Sequence, residues 1–483
     1  MAMNEAKLLS SEAMVVHLAF LPSAGLGHLN PCLRTAELFL RHGCRVTLIT
    51  PKPTVSTAES NLIALFCSAF PSHQLTQLDL NLSPLDPTQV NTTDPFWLQF
   101  EAIRRSVHLL PPILSSLSPP LSAFIHDVTL ISPLLPVTGT LCFPTYICFT
   151  SSARMLAFFA HLSVLAARSP GAKPCSFIGD AVEIPGIAPI ARSSVPPLLL
   201  EPDSLFERIF MEDSPNLTKL SGIFINSFEE LEEDALAALN DGRVVPGLPP
   251  VVALGPSVPC KFEKASSSKN CSGSIMKWLD EQSAESVVYV CFGNKTETRK
   301  EQIKGIANGL IECGYKFLWV VKLKKVDKEE EEELEGVLGN ELMRKVEEKG
   351  IVVKTWVDQM EIVGHPAVGG FVTHGGWNSL VEAVWHGVPI LSWPHNGDQK
   401  ICSEVVQMCG VGIWAEEWGW GSLETVVNGE EIAKAIKEMM SNVSLRIKAK
   451  EMKDAARKAA GIGGSCEVKI KRQIEEWTVE EGS

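Results

Sequence analysis

The stretch from residue 370 to residue 387 contains residue types that can hold a negatively charged group. A short apolar run ends at Thr373, His374 and a glycine pair follow, and an amphipathic segment then continues to Gly387. Glycines between a strand and a helix let the backbone approach a ligand closely, and the free N–H groups and dipole of a helix N-terminus attract phosphate. His374, Asn378 and Ser379 would add side-chain donors at the same end. The spacing therefore predicts a phosphate site.

Three more polar residues are expected beside this phosphate site. Glu382 comes three residues after Ser379 and therefore shares its helix face, where a carboxylate suits capture of a ribose diol. The next predicted strand ends at Trp393, and Asp398 and Gln399 follow at the carboxyl edge of the same sheet. Their side chains could read the hydroxyl groups of a sugar. Taken singly, Ser379 could be a helix cap and Trp393 a core residue, but the joint arrangement favours a site.

A second group of residues could move a proton. His28 follows a glycine loop at the predicted start of a helix, where the dipole disfavours the imidazolium and keeps the ring available as a base. Asp127 follows an apolar run at 123–125, so it should end at the same sheet edge and could orient His28. The alternative is that His28, one of eleven histidines, is simply a surface or core residue.

The elements that would position both groups alternate between strands and helices. The predicted strands are 15–20, 45–50, 123–126, 144–149, 222–226, 287–292, 317–321, 351–355, 370–373 and 389–393. Such alternation indicates parallel sheets with helices on both faces, and we expect an α/β fold of two Rossmann-like, doubly wound domains facing a central cleft. The expected limits are 1–250 and 276–460 for the domains, 251–275 for a linker, and 461–483 for a C-terminal helix that packs back on the first domain.

Length, charge and cysteine content exclude several classes of protein. A chain of 483 residues is long enough for about two or three domains. The net charge of −14 argues against a nucleic-acid-binding protein, which would need a basic face. Thirteen scattered cysteines without a C-x-x-C pair argue against a disulfide framework or a zinc ribbon. Since the first residues do not resemble a signal peptide and no apolar run could span a bilayer, we expect a cytoplasmic chain.

The stretch that begins at Trp356 resembles the signature segment of the plant UDP-dependent secondary-product glycosyltransferases of family 1. It contains W-x-x-Q, then H-x-G-W-N-S, then a glutamate three residues later, and it closes with the D-Q pair that ends at Gln399. The resemblance extends over nearly the whole chain and includes P-x-x-G-L-G-H-L-N-P near the start. It implies a GT-B fold, in which the C-terminal domain holds a UDP-sugar donor and the N-terminal domain holds the acceptor.

The resemblance also implies a role for individual residues. His28 would be the catalytic base and Asp127 its partner. The residues implied in binding the UDP-sugar are Gly27, Thr150, Asn294, Trp356, Val357, Gln359, His374, Gly376, Trp377, Asn378, Ser379, Glu382, Trp393, Asp398 and Gln399. Together with helix dipoles, His374 is expected to supply the positive field that an acidic chain otherwise lacks. The chain departs from the family pattern at Asn294, where Ser or Thr is usual, and at Gly375, where cysteine is frequent.

Asp94 and Phe96 are the residues that the resemblance implies in acceptor binding. The triplet Asp94-Pro95-Phe96 is similar to one found in plant flavonoid C-glycosyltransferases, but it also has the local pattern of a helix start, with Asp as cap and Pro at the first position. Deprotonation of a phenol raises the electron density on its ortho carbon, so one base serves attack by oxygen or by carbon. Acceptor orientation then chooses between the two.

We therefore expect an inverting transfer of glucose from UDP-glucose to an aromatic carbon of a flavonoid-type phenol, such as a 2-hydroxyflavanone or the dihydrochalcone phloretin. No cofactor or metal is expected, because the chain lacks the D-x-D clamp of many sugar transferases. The expected partners are the UDP-sugar and a phenolic acceptor, with the chain acting as a monomer. The alternatives are an O-glucosyltransferase and, in other classes, a UDP-sugar epimerase or a non-catalytic nucleotide-sugar-binding protein.

Overall fold

Two parallel β-sheets organise the protein. Its structure is a computed structural model that describes residues 15–86, 88, 90, 92–141, 143–257, 260, 262–263, 272–293, 298–322, 334–354, 357–421 and 426–480. The strands are β1 (His17–Leu21), β2 (Arg45–Lys52), β3 (Leu75–Asn81), β4 (Ala123–Asp127), β5 (Thr145–Phe149), β6 (Ala181–Val182), β7 (Ile190–Ala191), β8 (Gly222–Ile225), β9 (Val251–Ala253), β10 (Val287–Cys291), β11 (Lys316–Val320), β12 (Gly350–Val353), β13 (Val368–Thr373), β14 (Ile390–Ser392) and β15 (Gly412–Trp414).

Helices connect most of these strands. They are α1 (Leu26–Arg41), α2 (Thr57–Ser68), α3 (Pro95–Ser106), α4 (Leu110–Ser115), α5 (Ile131–Leu141), α6 (Ala153–Arg168), α7 (Pro174–Phe177), α8 (Pro197–Leu200), α9 (Leu205–Asp213), α10 (Glu229–Asn240), α11 (Ser272–Asp280), α12 (Lys300–Glu312), α13 (Leu334–Leu338), α14 (Asn340–Lys349), α15 (Gln359–Val363), α16 (Trp377–His386), α17 (Gln399–Met408), α18 (Gly429–Ser441), α19 (Val443–Ala460) and α20 (Ser465–Glu480). Among the helices described, none is both long enough and apolar enough to cross a membrane.

The strand order places a switch point in the middle of each sheet. The first sheet runs β3-β2-β1-β4-β5-β8-β9 and the second runs β12-β11-β10-β13-β14-β15, and every neighbouring pair in both is parallel. The chain therefore reverses its direction of winding between β1 and β4 in the first sheet and between β10 and β13 in the second. In open α/β sheets, ligands bind beyond the carboxyl ends of the strands at such points.

Alternating side chains show why each sheet is covered on both faces. In β1, Leu18 and Phe20 pack with α1 in one apolar cluster, whereas Ala19 and Leu21 pack with α3, α4 and α5 in another. All four are completely buried, as the near-continuous apolar run of a parallel strand predicts. β10 repeats this division, because alternate residues belong to separate clusters on its two faces. The expected α/β fold with two Rossmann-like sheets is confirmed.

The last helix packs against the first sheet. Trp477 of α20 contacts the rings of Phe39 and Tyr146, each with ring centroids 5.4 Å away, and its Nε1 donates to the Tyr146 hydroxyl over 3.0 Å. The tryptophan is 1% exposed. The domain limits given above remain predictions, and most of the expected linker lies outside the described residues.

Candidate active site

The carboxyl edges of the two sheets face each other across one large cleft. Its volume is about 1230 Å³, and it is lined by the loops that follow β1 and β5 in the first sheet and β10 and β13 in the second. Both switch points therefore open into the same space. The predicted site residues on its walls are Gly27, His28, Phe96, Thr150, Val357, Gln359, His374, Gly376, Trp377, Asn378, Ser379, Glu382, Asp398 and Gln399.

His28 and Asp127 form a hydrogen-bonded pair on the N-terminal wall. His28 lies in the first turn of α1, and Asp127 is the last residue of β4, the strand that pairs with β1. The His28 Nδ1 and Asp127 Oδ2 atoms are 2.8 Å apart. The other carboxylate oxygen accepts hydrogen bonds from the backbone N–H of Thr129 over 2.9 Å and from its hydroxyl over 2.7 Å. Both carboxylate oxygens of Asp127 are therefore occupied, and its orientation is fixed.

The environment of this pair prepares His28 to accept a proton. Asp127 is 1% exposed. Burial alone would raise the pKa of this carboxyl, but His28 and the hydrogen bonds from Thr129 hold its pKa below the usual value, so it stays ionised. Since Nδ1 faces this carboxylate, Nε2 is the ring nitrogen left for the cleft. Phe100 packs edge-on against the imidazole with ring centroids 5.1 Å apart.

The opposite wall is built on the N-terminus of α16. This helix begins at Trp377, so Asn378 and Ser379 lie in its first turn. Gly375 has a φ of +81°, and a Cβ there would lie 2.6 Å from the hydroxyl of Ser392. Glycine adopts this left-handed conformation without strain and leaves the Ser392 hydroxyl undisturbed. The first turn presents backbone N–H groups and polar side chains to the cleft.

His374 lies at this helix end, but it does not carry the positive charge that we expected. Burial lowers its pKa to about 4, so the ring is neutral at pH 7. Its only described neighbour of hydrogen-bonding type is the Thr373 hydroxyl, 3.3 Å from Nδ1. Gly293, after β10, is in close contact, since a Cβ there would lie 2.8 Å from the imidazole. His374 can therefore donate an N–H to a ligand, while the field for an anion comes from the helix N-terminus.

Glu382 is joined to residues from both walls. Its Oε2 accepts from Gln359 Nε2 over 2.7 Å, and Gln359 also donates to the Ser379 hydroxyl over 3.0 Å. Its Oε1 accepts from Arg34 Nη2 over 2.8 Å. We did not predict Arg34, which lies in α1 on the opposite side of the cleft. The available signal was the spacing of Gly27, Asn30 and Arg34, which places a charge on the face of α1 that also carries cleft residues.

The residues predicted to contact a sugar come from both sheets and meet at the end of the cleft near α17. Asp398 accepts from the Ser151 hydroxyl, directly after Thr150, and so connects the loop after β5 to the start of α17. Gln399 is turned toward its own loop, because its Oε1 accepts the backbone N–H groups of His395 and Asn396 over 2.8 and 3.0 Å. These bonds define the shape of the loop that carries both side chains.

Of the predicted site residues that the structure describes, Asp127, Trp393 and Asp94 do not line the cleft, and Asp127 acts on it through His28. Trp393 is 1% exposed and packs in the core against Trp418 and Phe292, with ring centroids 4.6 and 5.5 Å away, so it does not line the cleft as its assignment to donor binding predicted. It occupies the strand-end position that we predicted, but the indole points into the sheet's core. Asp94 caps α3 by accepting the Phe96 N–H over 2.9 Å, which is the helix-start alternative, and Phe96 alone reaches the cleft. Asn294 and Trp356 lie outside the described residues.

An aromatic chamber lies beside His28 on the N-terminal wall. Phe206 and Phe210, one turn apart on α9, stack with ring centroids 4.1 Å apart. Trp97 and Phe100 on α3 extend this chamber towards the histidine, and Trp97 meets Phe206 edge to face at 5.4 Å. Such a surface suits a flat aromatic ligand. None of these four rings was predicted as a site residue, although their i, i+3 spacing on α3 and i, i+4 spacing on α9 were visible in the sequence.

No three His, Cys, Asp or Glu side chains come together as a metal site within the described ranges. The expectation that transfer proceeds without a metal remains a prediction. The observed arrangement combines a helix N-terminus, a buried carboxylate, and a His–Asp pair beside an aromatic chamber.

Comparisons with known proteins agree with this arrangement. The sequence model of the family described as UDP-glucoronosyl and UDP-glucosyl transferase matches residues 260–453. UDP-glycosyltransferase 708D1 of Glycine max is 68% identical over 475 residues, which are 97% of this chain and 98% of that protein. The chain belongs to the family 1 UDP-glycosyltransferases. UDP-glycosyltransferase CGT of Oryza sativa subsp. japonica is 42% identical over 450 residues, or 93% of each chain.

A solved structure extends the likeness to the fold of this UDP-glycosyltransferase. The crystal structure of LpCGTa in complex with UDP is 40% identical and superposes with a TM-score of 0.82, covering 96% of this chain and 99% of that one. The GT-B arrangement is therefore confirmed, with the two Rossmann-like sheets on either side of the cleft. A UDP-sugar donor and a small-molecule acceptor fit the family.

Proposed function

We propose that this glycosyltransferase moves glucose from UDP-glucose to an aromatic carbon of a flavonoid-type phenol, such as a 2-hydroxyflavanone or phloretin, with inversion and without a metal or other cofactor. The observation that carries the proposal is the His28–Asp127 pair, with its 2.8 Å contact, in an aromatic chamber opposite the N-terminus of α16. Base and anion site thus face one another across the cleft, as an in-line displacement at a sugar carbon requires.

The first step is loss of a phenolic proton to His28. Nε2 takes the proton, and the ionised Asp127 stabilises the resulting imidazolium through Nδ1. The phenolate electrons are shared with the ortho carbon of the ring. That carbon attacks the anomeric carbon of glucose, a C–C bond forms, and the C–O bond to UDP breaks with its electron pair remaining on the diphosphate. The attacked ring carbon then loses its proton, the former phenolate oxygen takes up a proton, and the aromatic phenol is restored. His28 releases the proton it took, to the departing UDP or to water, and is ready for the next cycle.

The C-terminal wall would stabilise the departing diphosphate. Negative charge grows on the β-phosphate as the bond breaks, and the N–H groups of the first turn of α16 already point towards the cleft. The neutral His374 would add one N–H donor. Glu382 would hold the ribose hydroxyls, while Thr150, Asp398 and Gln399 would contact the glucose. These assignments rest on the placement of the side chains along the cleft.

The orientation of the acceptor chooses between attack by carbon and attack by oxygen, and the relatives favour carbon. The aromatic chamber beside His28 would hold a phenol by its ring faces and edges, which constrains which ring atom points to the donor. In addition, the names of the rice relative and of LpCGTa contain CGT, the abbreviation of C-glycosyltransferase. The same base would also serve O-glucosylation, so the product decides between the two reactions.

The test is incubation of the full chain with UDP-glucose and phloretin, followed by mass-spectrometric fragmentation and acid hydrolysis of the product. We expect a glucoside that survives hydrolysis and fragments within the sugar ring. Release of free glucose and aglycone would instead establish O-glucosylation. A parallel reaction without acceptor tests the epimerase alternative, since conversion of UDP-glucose into another UDP-sugar would contradict the proposal. His73→Asn, at an exposed histidine, is the matched control for changes at His28.

A further inference from the structure

Arg34 is a buried charge whose position the chemistry above does not explain. It lies in α1, its side chain is 1% exposed, and it lines the cleft. Nε and Nη2 donate to the carboxylate of Glu263 over 3.2 and 2.8 Å, and Nη2 also donates to Glu382 Oε1 over 2.8 Å. Nη1 is buried and has no hydrogen-bond partner among the residues that the structure describes. One arginine thus joins the N-terminal wall, residue 263 and the C-terminal wall.

The unpaired Nη1 calls for a ligand. Burial alone would lower the pKa of Arg34, but Glu263 and Glu382 raise it, so the guanidinium is charged at every ordinary pH. The guanidinium is planar, and Glu263 occupies its Nε–Nη2 edge, which leaves the N–H groups of Nη1 on the remaining side. A buried donor without an acceptor is costly, and few such groups persist in folded proteins.

Asn30, on the same face of α1, also has a buried polar atom without a partner among the described residues. Asn30 lies one turn before Arg34, lines the cleft, and has a buried Oδ1 without a hydrogen-bond partner. Gly27, a further turn back, accepts from Asn378 Nδ2 of the opposite wall over 3.5 Å. The face of α1 formed by Gly27, Asn30 and Arg34 is therefore directed at the donor-binding wall, and two of its three residues present unused hydrogen-bonding atoms.

We infer that Arg34 binds the nucleotide directly, with Nη1 donating to the oxygen of a ribose hydroxyl whose proton is accepted by Glu382. A hydroxyl group both donates and accepts hydrogen bonds. A carboxylate can accept its proton while the neighbouring guanidinium donates to its oxygen. The inference rests on the proposed use of Glu382 as the ribose-binding residue. It adds a donor contact from the wall that carries the base.

This contact would link donor binding to alignment of the base. Arg34 and His28 lie on the same helix, six positions apart, so a nucleotide held by Arg34 fixes the helix whose first turn carries the base. Glu382 would then be held by Gln359 from its own wall and by Arg34 from the other. On this proposal the donor site is complete only when the two walls are close enough for Arg34 and Glu382 to be in contact.

The test is calorimetric titration of the full chain with UDP, 2′-deoxy-UDP and 3′-deoxy-UDP. We expect the wild-type chain to prefer UDP over at least one deoxy analogue. Arg34→Met should weaken UDP binding by about 10- to 100-fold, the value of a hydrogen bond to a charged group. Its preference for UDP over that analogue should be smaller than in the wild-type chain, because the hydroxyl has lost its donor and keeps only Glu382 as acceptor. Arg34→Lys keeps the charge next to Glu263 and Glu382 and should show the same loss of preference if Arg34→Met does not fold.

Arg154 supplies the matched control. It is also a buried arginine, 5% exposed, and forms an ion pair of 2.7 Å with Glu404 of α17, but it does not line the cleft. Arg154→Met should retain the wild-type preference for UDP. Equal losses of UDP affinity in the Arg34 and Arg154 variants, with the preference intact in both, would overturn the inference and leave Arg34 as a link between walls. Failure of the wild-type chain to bind UDP would instead overturn the proposed function.

Discussion

The two walls of the cleft share a backbone plan and differ in the chemistry of their side chains. On each side, a strand at the switch point leads through a short loop into a helix whose first turn faces the cleft, β1 into α1 and β13 into α16. The first wall surrounds one His–Asp pair with aromatic rings. The second presents glycines, amides and a carboxylate at a helix N-terminus. The sheet edge provides the place for a site, and the side chains decide its chemistry.

The two histidines at these loops show what that difference means. His28 is bonded to the buried carboxylate of Asp127, which can stabilise a proton taken up during a reaction. His374 has the Thr373 hydroxyl instead, and burial lowers its pKa to about 4. The same residue type therefore suits a base on one wall and a neutral N–H donor on the other. The following predictions test this division.

The largest effect is expected from His28→Ala, which should lower the rate of glucosyl transfer by about 10²- to 10⁴-fold, the usual contribution of a general base. UDP affinity should stay close to that of the wild-type chain, because the ring lies on the N-terminal wall, where we propose that the acceptor binds. Initial rates and calorimetric UDP titration measure both. A loss of UDP affinity as large as the loss of rate would show that His28 takes part in donor binding, and the two walls would then not differ in the way described above.

Trp477→Ala should destabilise the N-terminal wall by about 3–5 kcal/mol, the typical cost of truncating a buried tryptophan. The indole is 1% exposed and packs on Phe39 of α1, the helix that carries the base. Urea unfolding followed by fluorescence measures the change, with Glu476→Ala at a half-exposed neighbouring position as control. If the variant loses UDP affinity while the urea midpoint of unfolding is unchanged, α20 supports the C-terminal wall as well, contrary to our expectation.

Glu382→Gln should weaken UDP binding by about 10- to 100-fold, because a carboxylate that accepts from hydroxyls is replaced by a neutral amide. The KM for the acceptor should change little, since Glu382 lies on the C-terminal wall, where we propose that the nucleotide binds. Steady-state kinetics with each substrate varied in turn separate the two effects. An equal rise in both KM values would show that the ion pair with Arg34 serves mainly to hold the walls together.

The final prediction concerns pH. Burial lowers the pKa of His374 and His386 to about 4 and that of His395 to about 3, all on the C-terminal side, and that of His126 to about 4 on the N-terminal side. The unfolded chain binds protons below pH 6.5 while these folded rings stay neutral, so their stabilisation is complete above pH 6.5 and is lost as the pH falls towards 4.

At pH 5 each such ring should cost about 2 kcal/mol of stability, so the C-terminal side should be the more sensitive to acid. Thermal unfolding at pH 7 and pH 5 measures the loss. His395→Phe keeps an aromatic ring beside Phe292 and Trp393 and should reduce the pH dependence. A variant with the pH dependence of the wild-type chain would show that His395 does not take up its proton on unfolding.

Local sequence patterns were sufficient for most of the elements and for one wall of the site. The apolar run at 287–292 predicts β10 within a residue, because alternation and helical spacing are properties of neighbouring positions. The residues from His374 to Gln399 could be grouped because they belong to one strand–helix–strand unit. His28 and Asp127 could be paired because both follow parallel strands of one sheet.

Contacts between distant segments could not be predicted in this way. Arg34 meets Glu382 across 348 positions of the chain, and nothing local to either residue indicates the other. The orientation of Trp393 is a similar case, since a strand-end residue faces the core or the cleft depending on the elements packed against it. The aromatic chamber likewise depends on how α3 and α9 approach each other.

The residue types and their spacing thus predicted the family, a polar helix end and a candidate base, since these features lie within single supersecondary units. The tertiary structure alone decided that the two sheet edges share one cleft, that His374 is neutral, and that α1 contributes Arg34 to the opposite wall. Burial and contacts over hundreds of residues are set by the packing of whole elements, and no local pattern encodes them.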